Sequence, residues 1–124
     1  MMNLNEVRVV GNLVRNPELR YTTQGNAVTN ISLGVNDPYV VNGEKKQETT
    51  FVDVQVWGSA AENLSKLAKK GQQLFVAGAL RQDIWEKDGG NRSKMYVRAD
   101  AWQFVQYRET EARASKAQGQ EVTR

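Results

Sequence analysis

Aromatic and polar side chains alternate with valines along residues Thr49–Trp57. In an extended chain one face carries Val52, Val54 and Val56, which is an ordinary core face. The opposite face carries Phe51, Asp53, Gln55 and Trp57. Two large rings beside two polar groups make a poor core face, but they suit the stacking of flat, partly charged ligands, and nucleobases are the commonest of these. The stretch indicates ligand stacking, although rings on a sheet also pack in interfaces or under loops.

The residue types that most often carry catalysis or bind metals are missing from the 124-residue chain. It contains no cysteine and no histidine, which excludes disulfides, thiolate sites, the commonest general base and the commonest zinc ligand. Two carboxylates, Glu48 and Asp53, lie on or beside the aromatic stretch, but no matching acidic cluster accompanies them. We therefore predict no catalytic residue, no metal site, no cofactor and no enzymatic activity.

The chain is mildly basic, with a net charge of +3. Residues 109–124 hold three basic and three acidic side chains, so residues 1–108 hold the whole surplus, 14 against 11. Such a surplus is weak evidence for an acidic partner by itself. The candidates for contacts with a phosphate backbone lie on or beside predicted strands and hairpins, and they are Arg8, Arg20, Lys45, Lys46, Arg81, Arg92 and Arg98.

The N-terminus lacks the pattern of a signal peptide, and no apolar run is long enough to span a bilayer. A cytoplasmic protein without a membrane segment is the expectation. From Glu109 onward the composition is polar and has no aromatic residue. Residues 109–124 are predicted to form a disordered tail or a short frayed helix, and residues 1–108 a single domain.

Turn signals divide the chain into five strands and one helix. The strands are predicted over 4–13, 27–36, 49–57, 73–85 and 93–105, with hairpin tips at Asn42-Gly43 and Asp88-Gly89-Gly90. The second strand is expected to be solvated on its Val28–Ser32 side, and Ala101 is expected to share a face with Val97. A helix follows Gly58, where Ser59 and Glu62 have the spacing of a capping box. Its apolar stripe is Ala61, Leu64, Leu67 and Ala68.

The order of the elements is three strands, one helix and two long strands. A five-stranded Greek-key barrel with a helix between strands three and four is the OB-fold, an all-β fold with one helix.

Several motifs spread over the chain resemble the bacterial single-stranded DNA-binding proteins. They include Gly11-Asn12, the run Asn16–Tyr21, Lys70-Gly71 and the run Gly78–Arg81. The resemblance covers about Asn5 to Val105 and is specific over that length. It implies sequence-independent binding of single-stranded DNA in replication, recombination and repair, within a homotetramer whose strands pair across subunits.

The resemblance also implies which rings stack on bases. The stacking positions of the family correspond here to Tyr39, Phe51, Trp57 and Trp85. At four positions where members often carry lysine or arginine, this chain has Glu6, Ser59, Asp83 and Ile84, which implies weaker or more salt-sensitive binding. The acidic C-terminal tip by which members recruit other proteins is not present in this chain.

Two other functions remain open from the sequence. A relative with the same fold could act as a primosome or RNA-binding adaptor, with weak strand binding and a stable hetero-complex. A small hydrolase on the same barrel would need carboxylates clustered in a cleft.

Overall fold

The protein, described by a computed structural model over residues 1–105, contains six strands and one helix. The elements are β1 (Val7–Leu13), β2 (Leu19–Tyr21), β3 (Ala27–Val41), β4 (Glu44–Trp57), α1 (Gly58–Leu67), β5 (Gln73–Lys87) and β6 (Gly90–Phe104). The predicted tail 109–124 lies outside the described residues, as does the end of the predicted domain at 108.

Five of the strands close into a barrel. The strands follow the order β1-β5-β6-β4-β3-β2, and an additional pairing of β1 with β3 joins the ends of the barrel. The short β2, which was not predicted, pairs with β3 outside this ring. The closing contact is tight, since a Cβ on Gly11 would lie 2.9 Å from the carbonyl oxygen of Gly34. The predicted OB-fold with its helix between the third and fourth barrel strands is therefore confirmed.

The core fills the barrel and extends under α1. Its fully buried side chains include Leu33, Val54, Val56, Leu64, Leu74, Val76 and Val97. Val54 and Val56 come from the valine face predicted for β4, and the aromatic face of that strand points outward. Burial of this apolar surface is the main force that holds β4 in its register.

Two long hairpins project from the barrel as the arms β3–β4 and β5–β6. The turn residues Asn42 and Gly43 have φ of 52° and 79°, and Asp88 and Gly89 have φ of 51° and 78°. Two consecutive left-handed residues are what a type I′ hairpin turn requires. Both predicted hairpin tips are confirmed. The first arm is strand, not loop, from its base to its tip.

The predicted capping box is wrong. The helix begins at Gly58, its N-cap is Trp57, and no side chain caps it. Glu62 instead accepts a hydrogen bond from the Tyr21 hydroxyl at 3.1 Å, because β2 lies beside the helix. This hydrogen bond and the charge of Glu62 raise the pKa of the Tyr21 phenol. The helix ends at Leu67, which is exposed and does not join the apolar stripe.

The expected solvated side of β3 is confirmed only in part. Asn30 and Asn36 are exposed, but Val28 and Ser32 are buried. Val28 lies opposite both Arg20 of β2 and Trp57 of β4. Because two long side chains flank it on neighbouring strands, Val28 is covered on the outside of the barrel. The sequence did not reveal this cover because β2 is only three residues long.

A bulge in β6 decides which way its aromatic rings point. Ala101 pairs with Ala77 and Ala99 pairs with Gly78, so Asp100 is the extra residue. The bulge reverses the alternation, so that Trp102 packs against the core and Ala101 is exposed. The expectation that Ala101 and Val97 share a face is wrong for this reason. Trp102 donates a hydrogen bond to the Ala60 carbonyl oxygen at 3.1 Å.

Candidate nucleic-acid interface

One continuous outer face of the barrel runs across β2, β3, β4, β6 and β5. Residues that lie directly opposite each other on paired strands point to the same side of a sheet. The rows on this side are Arg20–Val28–Trp57, Asn30–Gln55–Arg98–Ala79, Ser32–Asp53 and Gly34–Phe51. The β5–β6 arm continues it through the pairs Arg81–Tyr96, Asp83–Lys94 and Trp85–Arg92. We call this surface the outer face.

Phe51 offers the most accessible ring on the outer face. Its side chain lies across Gly34 of β3, where a Cβ would be 3.6 Å from the Phe51 Cε1 atom. With no side chain beneath it, the ring can lie close to the sheet, yet the residue remains 65% exposed. The exposed side of the ring is free to receive a base.

Trp57 is half-buried and held in place by its neighbours. Its indole Nε1 donates to Gln55 Oε1 at 2.6 Å, and Gln55 Nε2 donates to Asn30 Oδ1 at 3.2 Å. The Arg98 guanidinium lies 5.5 Å from the ring centroid, a cation–π distance. The ring is thus oriented before any ligand arrives, with a positive charge beside it.

Trp85 lies on the β5–β6 arm and is 45% exposed. It is paired with Arg92 across the arm, so an aromatic ring and a cation are neighbours on the same side of the sheet. The structure therefore brings Phe51, Trp57 and Trp85 to one face.

Tyr39 is not on that face. The pairing of β3 with β4 runs without interruption from Val28–Trp57 to Val41–Glu44. Since side chains alternate along a strand, Tyr39 lies on the opposite side of the β3–β4 arm from Phe51. It is 44% exposed, and its role in stacking stays a prediction.

Not all of the cations predicted to contact the DNA backbone lie on the outer face. Arg20, Arg81, Arg92 and Arg98 lie on the outer face, and Lys45 follows it along the β3–β4 arm. Lys46 shares the side of Tyr39 and pairs with Glu44 at 3.4 Å. Arg8 lies on β1 and pairs with Glu6 at 3.2 Å. Both ion pairs are exposed, so each is weak and free to exchange for a phosphate.

Three further residues, Arg15, Lys94 and Tyr96, were not selected from the sequence but lie at the outer face. Lys94 Nζ lies 3.3 Å from Asp53 Oδ2, and Tyr96 donates to Asp83 Oδ1 at 3.4 Å. Together with Arg15, these residues line a groove of about 240 Å³. The groove opens where β4 and β6 separate, because the two strands pair only at Val54–Val97 and Gln55–Arg98. The sequence did indicate two of these residues, since Lys94 and Tyr96 fall at every second position of β6 between Arg92 and Arg98 and therefore point to the same side.

Residues 1–105 contain no group of three or more acidic side chains placed to hold a metal ion. Within the same residues no helix is long and apolar enough to cross a membrane.

Residues 4–105 match the family model described as the Single-strand binding protein family. The chain belongs to this family. The matched range contains every residue that the sequence analysis selected for stacking or backbone contact. The match to the family model therefore covers the barrel and both arms.

Individual relatives of this family member agree with that result. The chain is 37% identical over 105 residues to the single-stranded DNA-binding protein of Treponema pallidum, which covers 85% of this chain and 60% of the relative. The crystal structure of the wild-type single-stranded DNA binding protein from Thermus aquaticus superimposes with a TM-score of 0.73 at 34% identity. That match covers 83% of this chain and 50% of the Thermus chain.

A more distant structure supports the fold of this family member alone. The Plasmodium falciparum SSB complex with ssDNA has a TM-score of 0.77 at 19% identity, covering 86% of this chain and 98% of that one. By contrast, the chain spans 60% of the length of the Treponema protein and half of the Thermus aquaticus protein.

Proposed function

We propose that this protein binds single-stranded DNA with little sequence preference and carries out no chemical step on it. The observation that carries the proposal is the placement of Phe51, Trp57 and Trp85 on one outer face. The same face also carries four arginines, namely Arg20, Arg81, Arg92 and Arg98. Rings that accept any base and cations that accept any phosphate make binding tolerant of sequence.

Stacking and charge contribute in different ways. Each base stacked on an aromatic ring stabilises such complexes by about 1–3 kcal/mol. Each phosphate neutralised adds affinity that declines with salt, with a slope of about −0.7 per contact for single strands. Arg92 beside Trp85 and Arg98 beside Trp57 place one cation next to each tryptophan. A nucleotide can therefore meet a ring with its base and a guanidinium with its phosphate.

The outer face is too long for a single nucleotide. Phe51 and Trp57 are six positions apart on β4, which is about 20 Å in a strand. A strand that reaches both must run across the barrel and then onto the β5–β6 arm to meet Trp85. We infer that Lys45 extends this path along the β3–β4 arm, that Tyr39 and Lys46 contact the strand on the other side of the arm, and that Arg8 contributes at β1.

The cellular role follows from the binding. A protein that covers exposed single strands protects them in DNA replication, recombination and repair. We place it in the cytoplasm with the DNA it covers.

We also propose a homotetramer, as the family resemblance implies, and the open edge of β1 supports the pairing of its subunits two by two. The strand pairs with β5 along Val7–Asn12 but touches β3 only at Asn12 and Leu13. Unpaired strand edges recruit other strands, and Val10, which lies beside Phe75, is 43% exposed. We infer that β1 strands pair between subunits there. Sedimentation should give a tetramer, and Val10→Glu should yield smaller species; a monomer in both samples would refute this assembly.

The binding proposal is tested by titrating a labelled oligothymidine and a matched duplex at low and high salt. We expect tight binding of the single strand, weaker binding at high salt, and a large preference over the duplex. Equal affinity for strand and duplex, or no binding of either, would refute it.

A further inference from the structure

The groove beside Trp57 carries acceptors where a DNA-binding surface would be expected to carry only cations. Its lining includes Asn30, Asp53, Gln55, Asp83, Lys94 and Tyr96. We propose that this groove receives the Watson–Crick edge of an unstacked guanine, with the Asp83 carboxylate as the acceptor. The proposal rests on the single-stranded DNA binding proposed above and adds a base preference to it.

Charge decides which part of a nucleotide enters the groove. Lys94 offsets the charge of Asp53, so Asp83 carries the unpaired negative charge that would repel a phosphate, whereas Arg15 and Arg20, which also line the groove, attract one. A nucleotide that crosses this region is therefore oriented with its phosphate towards the arginines. Its base is directed to the carboxylates, which can only accept hydrogen bonds when ionised.

The pattern of donors then selects the base. Guanine alone has two adjacent donors on its pairing edge, N1–H and the N2 amino group, and they match the two oxygens of one carboxylate. Cytosine and adenine each place an acceptor beside their amino group, and thymine places its N3–H between two carbonyl oxygens. In each of these three bases an acceptor would face the carboxylate. A two-point contact of this kind discriminates strongly between bases.

Asp83 is better placed for this role than Asp53. The Asp53 carboxylate is already paired with Lys94 at 3.3 Å. Within residues 1–105, Asp83 accepts a single side-chain hydrogen bond, the long one of 3.4 Å from Tyr96, which leaves lone pairs on both of its oxygens. The pairing of β5 with β6 sets Asp83 opposite Lys94, and this backbone pairing places the Asp83 carboxylate at the groove.

The test compares oligothymidine strands that carry isolated guanines with the same strands carrying hypoxanthine or thymine at those positions. Hypoxanthine keeps the stacking surface and N1–H of guanine but lacks the N2 amino group. We expect the guanine strand to bind about fivefold more tightly than either of the others. This is the lower end of the discrimination that a two-point base contact gives, because the groove is open to solvent. Asp83→Asn should abolish this preference.

Asp88→Asn is the matched control. It removes the same charge from the same hairpin, at an exposed turn position with φ of 51° that asparagine accepts. Because both variants remove one negative charge from the same hairpin, any change in oligothymidine affinity should be similar in the two, and only Asp88→Asn should keep the guanine preference. If the three strands bind equally to the unaltered protein, or if Asp83→Asn keeps the preference, the guanine site is refuted while strand binding stands. If no strand binds, the proposed function itself fails.

Discussion

The Arg98 guanidinium lies over the ring of Trp57, 5.5 Å from its centroid. The two residues come from β6 and β4, which are parallel neighbours in the barrel. An incoming base must therefore use the other side of the indole or displace the guanidinium, and in either case Arg98 remains within reach of the adjacent phosphate. Arg98 thus connects ring orientation with electrostatic attraction.

Replacing Arg98 separates these two effects. For Arg98→Ala we expect the slope of log K against log salt to become shallower by about 0.7, the share of one phosphate contact on a single strand. Arg98→Lys should keep the slope. The measurement is a set of oligothymidine affinities over a range of salt concentrations. A slope for Arg98→Ala equal to that of the unaltered protein would show that Arg98 touches no phosphate.

Phe51→Ala should weaken binding without affecting folding. The ring is 65% exposed, so its loss removes little buried surface, whereas the loss of one stacked base costs about 1–3 kcal/mol of binding free energy. Calorimetric titration with oligothymidine and a thermal melt would measure both quantities. Leu67→Ala is the control, because Leu67 is also exposed and apolar but lies on α1, off the outer face. Equal losses of affinity in the two variants would contradict a role for Phe51.

Gly78→Ala should destabilise the barrel. A Cβ at this position would clash with the Arg98 carbonyl oxygen, so β5 and β6 would have to separate beside the bulge. Overpacking of this kind costs about 1–3 kcal/mol of unfolding free energy, and denaturant unfolding would measure it. Gly90→Ala is the control, since its Cβ would meet nothing closer than the Lys87 carbonyl oxygen at 3.9 Å. Equal stability of the two variants would contradict the close approach.

The contact between Tyr21 and Glu62 should make the stability of the fold depend on pH in the alkaline range. The Glu62 carboxylate accepts the hydrogen bond of Tyr21 and raises the pKa of the phenol. A raised pKa means that the contribution to stability is complete below the unfolded value of about 10 and is lost as pH rises through the folded value. We expect the Tyr21 phenol to ionise above its usual pKa in an ultraviolet titration, and this ionisation to be absent in Tyr21→Phe. A titration curve unchanged by that substitution would contradict the contact.

The sequence predicted the parts of the fold that depend on local patterns. The valines of β4 fixed which side of that strand faces the core, and Asn42-Gly43 and Asp88-Gly89 fixed both hairpin tips. What failed depends on contacts between distant residues. Glu62 was assigned to a capping box, but β2 places Tyr21 beside it, and a three-residue strand has too little pattern to be recognised.

The candidate site was predictable to a similar extent. Phe51 and Trp57 stood out by alternation, and the structure places Trp85 on the same face. The groove could not be predicted, because it exists only where β4 and β6 stop pairing. The Asn42-Gly43 tip sets the register of the β3–β4 arm, but Tyr39 lies on the other side of the arm only because that register continues without a bulge, which the sequence does not reveal.

The most direct test of the account is the fluorescence of the three tryptophans during titration with oligothymidine. Trp57 and Trp85 lie on the outer face, while Trp102 packs against the core and serves as an internal reference. We predict strong quenching by the single strand, none by a matched duplex, and little quenching when both Trp57→Phe and Trp85→Phe are present. Fluorescence that stays flat with the single strand, or quenching that survives in the double variant, would contradict stacking on the outer face.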